Sequence, residues 1–282
     1  RGFWIMDDLS ILHQDWPGDE VTLFKPKDAY RSRFGGGRSS GDGPRYLRPG
    51  MHIDYFLPAA HDGGIRLDIL DARGAVVRTL VSSDEMVTTS EEEEERDMAT
   101  GLPAPSVIRA LEDEPGLHRY RWDMRHTGAW HSSSSRRFGG GPLVVPGTYI
   151  VRLTTGTEVK EQSFTIHMDP DVAAEGATMQ DLQQQERLSL DVAQLLSRAR
   201  ILESDLRKQL KSADDDAAAA VQASLDKLVT SAGRYQQPML ISQISYLYGI
   251  LTRADQLPGQ DAVKRFGELK EALDQLENSV DR

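Results

Sequence analysis

From residue 50 the chain alternates apolar and polar positions with a period of two. His52-Ile53-Asp54-Tyr55-Phe56-Leu57 runs as a strand and stops at Pro58. Ile65-Arg66-Leu67-Asp68-Ile69-Leu70 alternates as a strand with one wet face does. Asp71-Ala72-Arg73-Gly74 is a turn in which Gly74 supplies the positive φ such turns often need. Val76, Val77, Thr79 and Leu80 form the return strand of that hairpin. The pattern resumes at Gly116-Leu117-His118-Arg119-Tyr120-Arg121-Trp122-Asp123. Two more strands follow, one after the turn in Val144 to Leu153 and one from Glu158 to His167. Short strands with turn signals between them predict a small antiparallel β-sandwich, Ig-like, of about seven strands over 50–168.

Beyond Asp169-Pro170-Asp171 the period becomes helical. Thr178 is placed as an N-cap, with Asp181 three residues on, near the first-turn amides. Leu188, Val192, Leu195, Ala199, Leu202, Leu206 and Leu210 step by three and four, which predicts a helix over 178–212, about 52 Å long at 1.5 Å per residue. Asp214-Asp215-Asp216 opens a second helix, Ala217 to Ala232, with Val221, Leu225, Leu228 and Ala232 inward and Gly233 at its end. After Pro238 a third helix turns Leu240, Ile244, Leu247, Leu251 and Ala254 to one face. After Pro258-Gly259 a fourth carries Val263, Phe266, Leu269, Leu273, Leu276 and Val280. Short connections predict antiparallel neighbours, hence an antiparallel helical bundle over 171–282 paired around its long first helix.

The remaining segments lack such periods. In residues 1–14, Phe3, Trp4, Ile5 and Met6 make a short strand before Asp7-Asp8, and a strand that short must pair with something. Residues 15–49 read as a mobile connector, with Pro17, Pro26, Pro44, Pro49 and a Gly-rich run over 34–43. Residues 82–114 interrupt the sandwich with Glu91 to Glu95 in one run and Asp84, Glu85, Asp97, Glu112, Asp113 and Glu114 nearby. Like charges at that density repel, so an insertion in a surface loop, largely disordered, is expected. A calcium loop is the alternative, but a uniform Glu run lacks the alternating oxygen ligands and Gly turn of one.

The 282 residues carry a net charge of −11, which argues against a nucleic-acid or anionic-membrane surface. No apolar run approaches the roughly 20 residues of a membrane span. Cysteine is absent, which removes disulfides, thiolate nucleophiles and Cys-ligated metal. The length suits two domains. The chain opens at Arg1-Gly2 without an initiator Met or signal peptide, so a parent protein extending upstream is expected.

Candidate chemistry is sparse. His126 and His131 stand near Asp123, but a spacing of five in a Gly/Ser-rich loop does not bring them to one helix face, so loop histidines are expected and no metal or cofactor. Ser132 to Ser135 beside His131 lack the strained elbow of a nucleophilic serine. Arg33-Phe34-Gly35-Gly36-Gly37 and Arg137-Phe138-Gly139-Gly140-Gly141 repeat one motif. A phosphate cradle needs a following helix and usually a Lys, so two flexible loops are expected, which could share a docking surface through the Phe and Arg. Asp7 and Asp8 are adjacent on a strand and point to opposite faces, unlike the flanking carboxylates of a glycosidase. Trp122 occupies an in-facing strand position and belongs to the core. Trp130, beside a loop, and Trp16 are the surface candidates for stacking on a sugar. No catalytic residue is assigned.

Several segments carry a family resemblance. Arg1-Gly2-Phe3-Trp4-Ile5-Met6-Asp7-Asp8-Leu9 resembles the end of the sortilin-type, Asp-box β-propeller of large exported bacterial proteins, often labelled glycosyl-hydrolase-like. Leu23-Phe24-Lys25-Pro26-Lys27-Asp28-Ala29-Tyr30-Arg31 resembles the connector that follows it there. The stretch Leu67 to Arg78, with Gly116 to Arg125 and Pro146 to Leu153, resembles an Ig-like module of flagellar-hook-capping type, and the helical tail has its place in the same family. The resemblance implies a periplasmic or secreted parent with one or two propellers upstream, of which this chain is the C-terminal region. It transfers no catalytic residue, and the acidic insertion departs from it. The expected role is non-catalytic binding or scaffolding, with the upstream propeller and a protein or carbohydrate ligand as partners. The alternatives are an accessory part of a glycosidase-like hydrolase completed by that propeller, and a carbohydrate-binding module using Trp130 or Trp16.

Overall fold

The computed structural model describes residues 8–16, 18–33, 50–61, 63–83, 107–133, 136 and 138–280. The strand expected at Phe3 to Met6, the Gly-rich run over 34–43 and the acidic run at Glu91 to Glu95 lie outside these residues. The chain is a mixed β and α protein, with strands first and helices after. The strands are β1 (Thr22–Leu23), β2 (Ala29–Arg31), β3 (Met51–Leu57), β4 (Ile65–Asp71), β5 (Val76–Val81), β6 (Val107–Arg109), β7 (Gly116–Trp122), β8 (Gly147–Thr155) and β9 (Glu158–Met168). The helices are α1 (Pro170–Ala174), α2 (Met179–Ser212), α3 (Asp215–Leu228), α4 (Leu240–Leu251) and α5 (Gln260–Val280). They fall into two compact units. The sheet unit holds the described residues up to 83 with Val107–His126 and Val144–Ala173, and the helical unit holds 127–143 and the described residues from 174 onward.

The sheet unit contains a three-stranded sheet in the order β1-β3-β7 and a six-stranded sheet in the order β2-β9-β8-β4-β5-β6. Every pairing is antiparallel except the two at the edges of the larger sheet, β2 with β9 and β5 with β6. The period-two pattern becomes burial directly. Met51, Ile53, Tyr55 and Leu57 of β3 and Ile65, Leu67 and Ile69 of β4 are buried. Trp122 bridges the two sheets, its ring 6.0 Å from that of Tyr149 on β8 and 6.3 Å from that of Phe164 on β9. It is fully buried, and its indole N–H donates to the Arg125 carbonyl at 2.9 Å, so no polar group is left unpaired by that burial.

Within the stretch expected to be a connector, residues 21–31 form β1 and β2, and Val21, Leu23 and Phe24 are buried. Such short strands have no readable period. They exist because each borrows hydrogen-bond partners from a long strand: Thr22 and Leu23 face Phe56 and Tyr55, and Ala29 to Arg31 face Ile166 to Met168.

In the helical unit, Thr178 caps α2 through a full capping box with Asp181, and the Asp214 side chain caps α3 by accepting from the Ala217 amide. The long α2 packs against α3, α4 and α5. Leu188, Val192, Leu195, Ala199, Leu206, Leu225, Leu228, Ile244, Leu247, Leu251, Leu269, Leu273 and Leu276 share one core. Three expected core positions are corrected. α3 ends at Leu228, and Ala232 is exposed, because Thr230 turns back and its hydroxyl accepts from the Met239 amide at the start of α4. Ala254 lies beyond the end of α4 and is exposed, as is Val263 in the first turn of α5. Among the described residues no helix is long and apolar enough to cross a membrane.

Candidate functional site

Residues 127–143 run between β7 and β8 and belong to the helical unit. Gly128 and Phe138 close the loop on itself: the Gly128 amide donates to the Phe138 carbonyl at 2.9 Å and the Phe138 amide to the Ala129 carbonyl at 3.2 Å. A Cβ on Gly128 would stand 2.2 Å from the Gly139 carbonyl oxygen, so only glycine permits this approach. Phe138 is buried at a φ of +59°. Side chains of α2 then seat Trp130 by its backbone. The Trp130 amide donates to the Ser197 hydroxyl at 2.9 Å, and its carbonyl accepts from Arg200 Nη1 at 3.1 Å. The buried Ser197 hydroxyl also donates to the Ala193 carbonyl one turn back, so its polarity is satisfied. Tyr248 of α4 donates to the Gly140 carbonyl at 2.7 Å. The loop is therefore held by three helical side chains, and the half-buried Trp130 is fixed by its main chain.

Trp16 is 59% exposed, with ring centroids 6.1 Å from Phe24 and 6.3 Å from Phe56, which makes an aromatic platform in the sheet unit. The segment carrying it is laid against β3 and β7. Arg119 on β7 grips the buried Asp54 of β3 through two hydrogen bonds, at 2.6 and 2.9 Å, and reaches the Asp8 carbonyl at 3.4 Å. Asp8 stands 3.9 Å from His52 Nδ1. Burial pushes the Asp8 carboxyl up, but the Ser10 amide and hydroxyl, with the Arg119 and Lys27 charges, outweigh it and hold the group below its ordinary value. Burial and then the Arg119 charge hold the His52 imidazole below its ordinary value, against the pull of Asp54 and Asp8. Tyr55, buried and donating to the Glu112 carbonyl at 2.8 Å, is pushed up to about 12, chiefly by burial.

Other sequence candidates are dispersed. His126 belongs to the sheet unit and His131 to the helical unit, where His131 Nδ1 accepts from the Ser133 amide. Ser132 is exposed, while Ser134, Ser135, Arg137 and the run Phe34 to Gly37 lie outside the described residues, as does Asp7. Among the described residues no group of three His, Asp or Glu side chains converges on a metal position. Sequence reasoning missed Arg119, Asp54, Arg200 and Ser197. Their partners lie more than sixty positions away along the chain, and no local pattern marks them.

Comparison of the chain with models of protein families, with curated proteins and with solved structures finds no match.

Proposed function

We propose that this chain is a non-catalytic binding and scaffolding region, an Ig-like sandwich followed by an antiparallel helical bundle, from an exported propeller protein. One observation carries the reading. Lettered in chain order as A (β1), B (β3), C (β4), C′ (β5), E (β7), F (β8) and G (β9), the strands give one sheet A-B-E and, as the centre of the other, G-F-C-C′, which β2 and β6 extend at its two edges by parallel pairing. An immunoglobulin module distributes its strands between two sheets in that way. Tyr149 supports it further: it stands near the start of F and its hydroxyl donates to the Val145 carbonyl at 2.7 Å, the bond of an immunoglobulin tyrosine corner. The chain departs from antibody domains in having no cysteine pair and in carrying its buried tryptophan on E rather than C. Such modules orient neighbouring domains. The upstream propeller and a protein or carbohydrate ligand are the partners of this reading, in a periplasmic or secreted parent. On a panel of chromogenic glycosides this chain alone should be inert; turnover of any glycoside by the purified chain overturns the non-catalytic assignment.

A carbohydrate-binding module is the second reading, favoured by the exposed Trp16 and its aromatic neighbours. Polysaccharide pull-down should then be lost in Trp16→Ala. Equal retention of the variant and the parent chain counts against Trp16 as the platform.

A further inference from the structure

Inward, α4 buries Ile244, Leu247 and Leu251 in the core of the helical unit. Outward, Tyr246 is 72% exposed and Ile250 40%, one turn apart on the same face. Gly249 stands beside them, and a Cβ there would meet nothing within 4 Å. The other long helices of the unit set charge on their exposed positions: Asp205 and Lys208 on α2, Asp226 and Lys227 on α3, Lys270 and Glu271 on α5. α4 sets none. No charged residue occurs from Tyr235 to Thr252, in a chain whose residues are 27% charged. A helix face turned to solvent is ordinarily charged or polar, whereas an uncharged face carrying tyrosine and isoleucine has the composition of the centre of an interface.

We propose that this face binds the same face of a second copy of the chain, in a two-fold dimer whose α4 helices run antiparallel, with Tyr246 of each copy over Gly249 and Ile250 of the other. Charge argues for this occupant. An uncharged face is covered without stranding an ion only by a partner face that is uncharged too, and a second copy brings one by symmetry. The direction follows from Arg253, the first charge beyond the face, in the turn after α4. Parallel helices would set Arg253 against its own copy. Antiparallel helices that place Tyr246 opposite Ile250 place Arg253 opposite Gln243, a neutral side chain whose oxygen accepts from Arg265 of α5 at 2.7 Å. The Arg265 charge is met in turn by Glu268 at 2.8 Å. The open ground over Gly249 leaves room for the tyrosine ring of the other copy. The dimer goes beyond the scaffolding role, since its face lies wholly in the helical unit and owes nothing to the strand order.

The test is sedimentation equilibrium of the full chain over a range of concentrations. A reversible monomer–dimer equilibrium is expected. Tyr246→Glu should weaken it about tenfold or more, because an ion would be buried against Ile250 of the other copy. Tyr246 is exposed in the single chain. The thermal midpoint of the variant, measured where both proteins are monomers, should therefore match that of the parent chain, so a folding defect cannot mimic the loss. The direction is read by oxidising an equal mixture of Tyr246→Cys and Ile250→Cys. The chain has no cysteine of its own, and the mixed disulfide between the two variants should exceed either self-linked product. A monomer at every concentration up to about 1 mM overturns the proposal, as does a dimer that Tyr246→Glu leaves undiminished. Monomers that float with phosphatidylcholine vesicles also overturn it and give the face to a membrane. Self-linked products in excess of the mixed one overturn the antiparallel arrangement.

Discussion

The sheet unit buries several charged side chains in pairs; in the helical unit most lie at the surface, three or four residues apart along one helix. Asp54 is 5% exposed and Asp68 6%, each held by an arginine and, for Asp68, by the Thr79 hydroxyl at 2.7 Å. Arg78 likewise lies buried against Asp123 at 2.6 Å. On α2 and α5 the pairs are Arg207 with Glu203, Lys208 with Asp205 and Lys270 with Asp274, all with substantially exposed partners. Geometry explains the difference. A ladder sets residues of two strands opposite one another, as in the register Asp54 to Arg119, so a charge on a buried face meets its partner across the sheet. On a helix surface the near neighbours lie three and four residues away, and only a long side chain at the seam reaches a second helix, as Arg198 of α2 does to Asp274 of α5. Buried pairs are costly to break and surface pairs contribute little, so stability in the two units rests on different residues.

The sharpest way to break the comparison is the sheet core itself. Trp122→Ala should destabilise the sheet unit by about 3–5 kcal/mol, since a fully buried aromatic between two sheets leaves a cavity that neither sheet can close. Urea unfolding followed by tyrosine and tryptophan fluorescence reads it, and a loss under about 1 kcal/mol would remove Trp122 from the core. Next comes Arg119→Ala, expected to cost about 3 kcal/mol because Asp54 stays buried without its cation; the partial exposure of Arg119 keeps the figure at the low end for a buried pair. Asp54→Asn in the same background should recover part of that loss. If Arg119→Ala is neutral, the claim that the sheet unit depends on its buried pairs fails.

Thr178→Ala probes the helical unit and should cost about 1 kcal/mol through the lost capping box, read in the far-ultraviolet melting curve. The smallest effect is the pH dependence of His52, which faces Asp8, Asp54, Arg119 and Arg121. Its folded value lies below the unfolded one, so the unfolded chain binds the proton more tightly. The stability this contributes is complete above the unfolded value of about 6.5 and is lost as pH falls through the folded value. His52→Gln should therefore lose less stability than the parent chain between about pH 7 and pH 5. Identical pH profiles would show that the imidazole titrates alike in both states.

The legible parts of the fold are those whose signal is local. The β4–β5 hairpin was readable because the alternation of residues 65–70 and the turn at Gly74 fall within a dozen positions, and α2 because its stripe runs through seven apolar positions behind a capping box. β1 and β2 were not readable, since two or three residues have no period and their pairing depends on strands far along the chain. The run Arg137-Phe138-Gly139-Gly140-Gly141 reads as a flexible loop from its glycines, and it belongs to a longer loop over 127–143. It is held by Ser197, Arg200 and Tyr248, none of which its own composition announces. The two tryptophans singled out for binding divide in the same way. An exposed position for Trp16 was a matter of composition, whereas the main-chain clamp on Trp130 comes from a helix 67 residues away.

By itself the sequence determined the local conformations: where the backbone alternates, where it coils, and where Thr178 and Gly74 begin or turn an element. Those outcomes follow from forces that act over a few residues, namely steric preference, capping and one-sided hydrophobicity. The tertiary structure alone decided which cation meets which carboxylate, which unit owns the loop over 127–143, and that Arg200 donates to the Trp130 carbonyl. Those depend on distances between residues far apart in the chain. Burial there leaves a polar group either paired or costly, and no short stretch of sequence encodes which partner arrives.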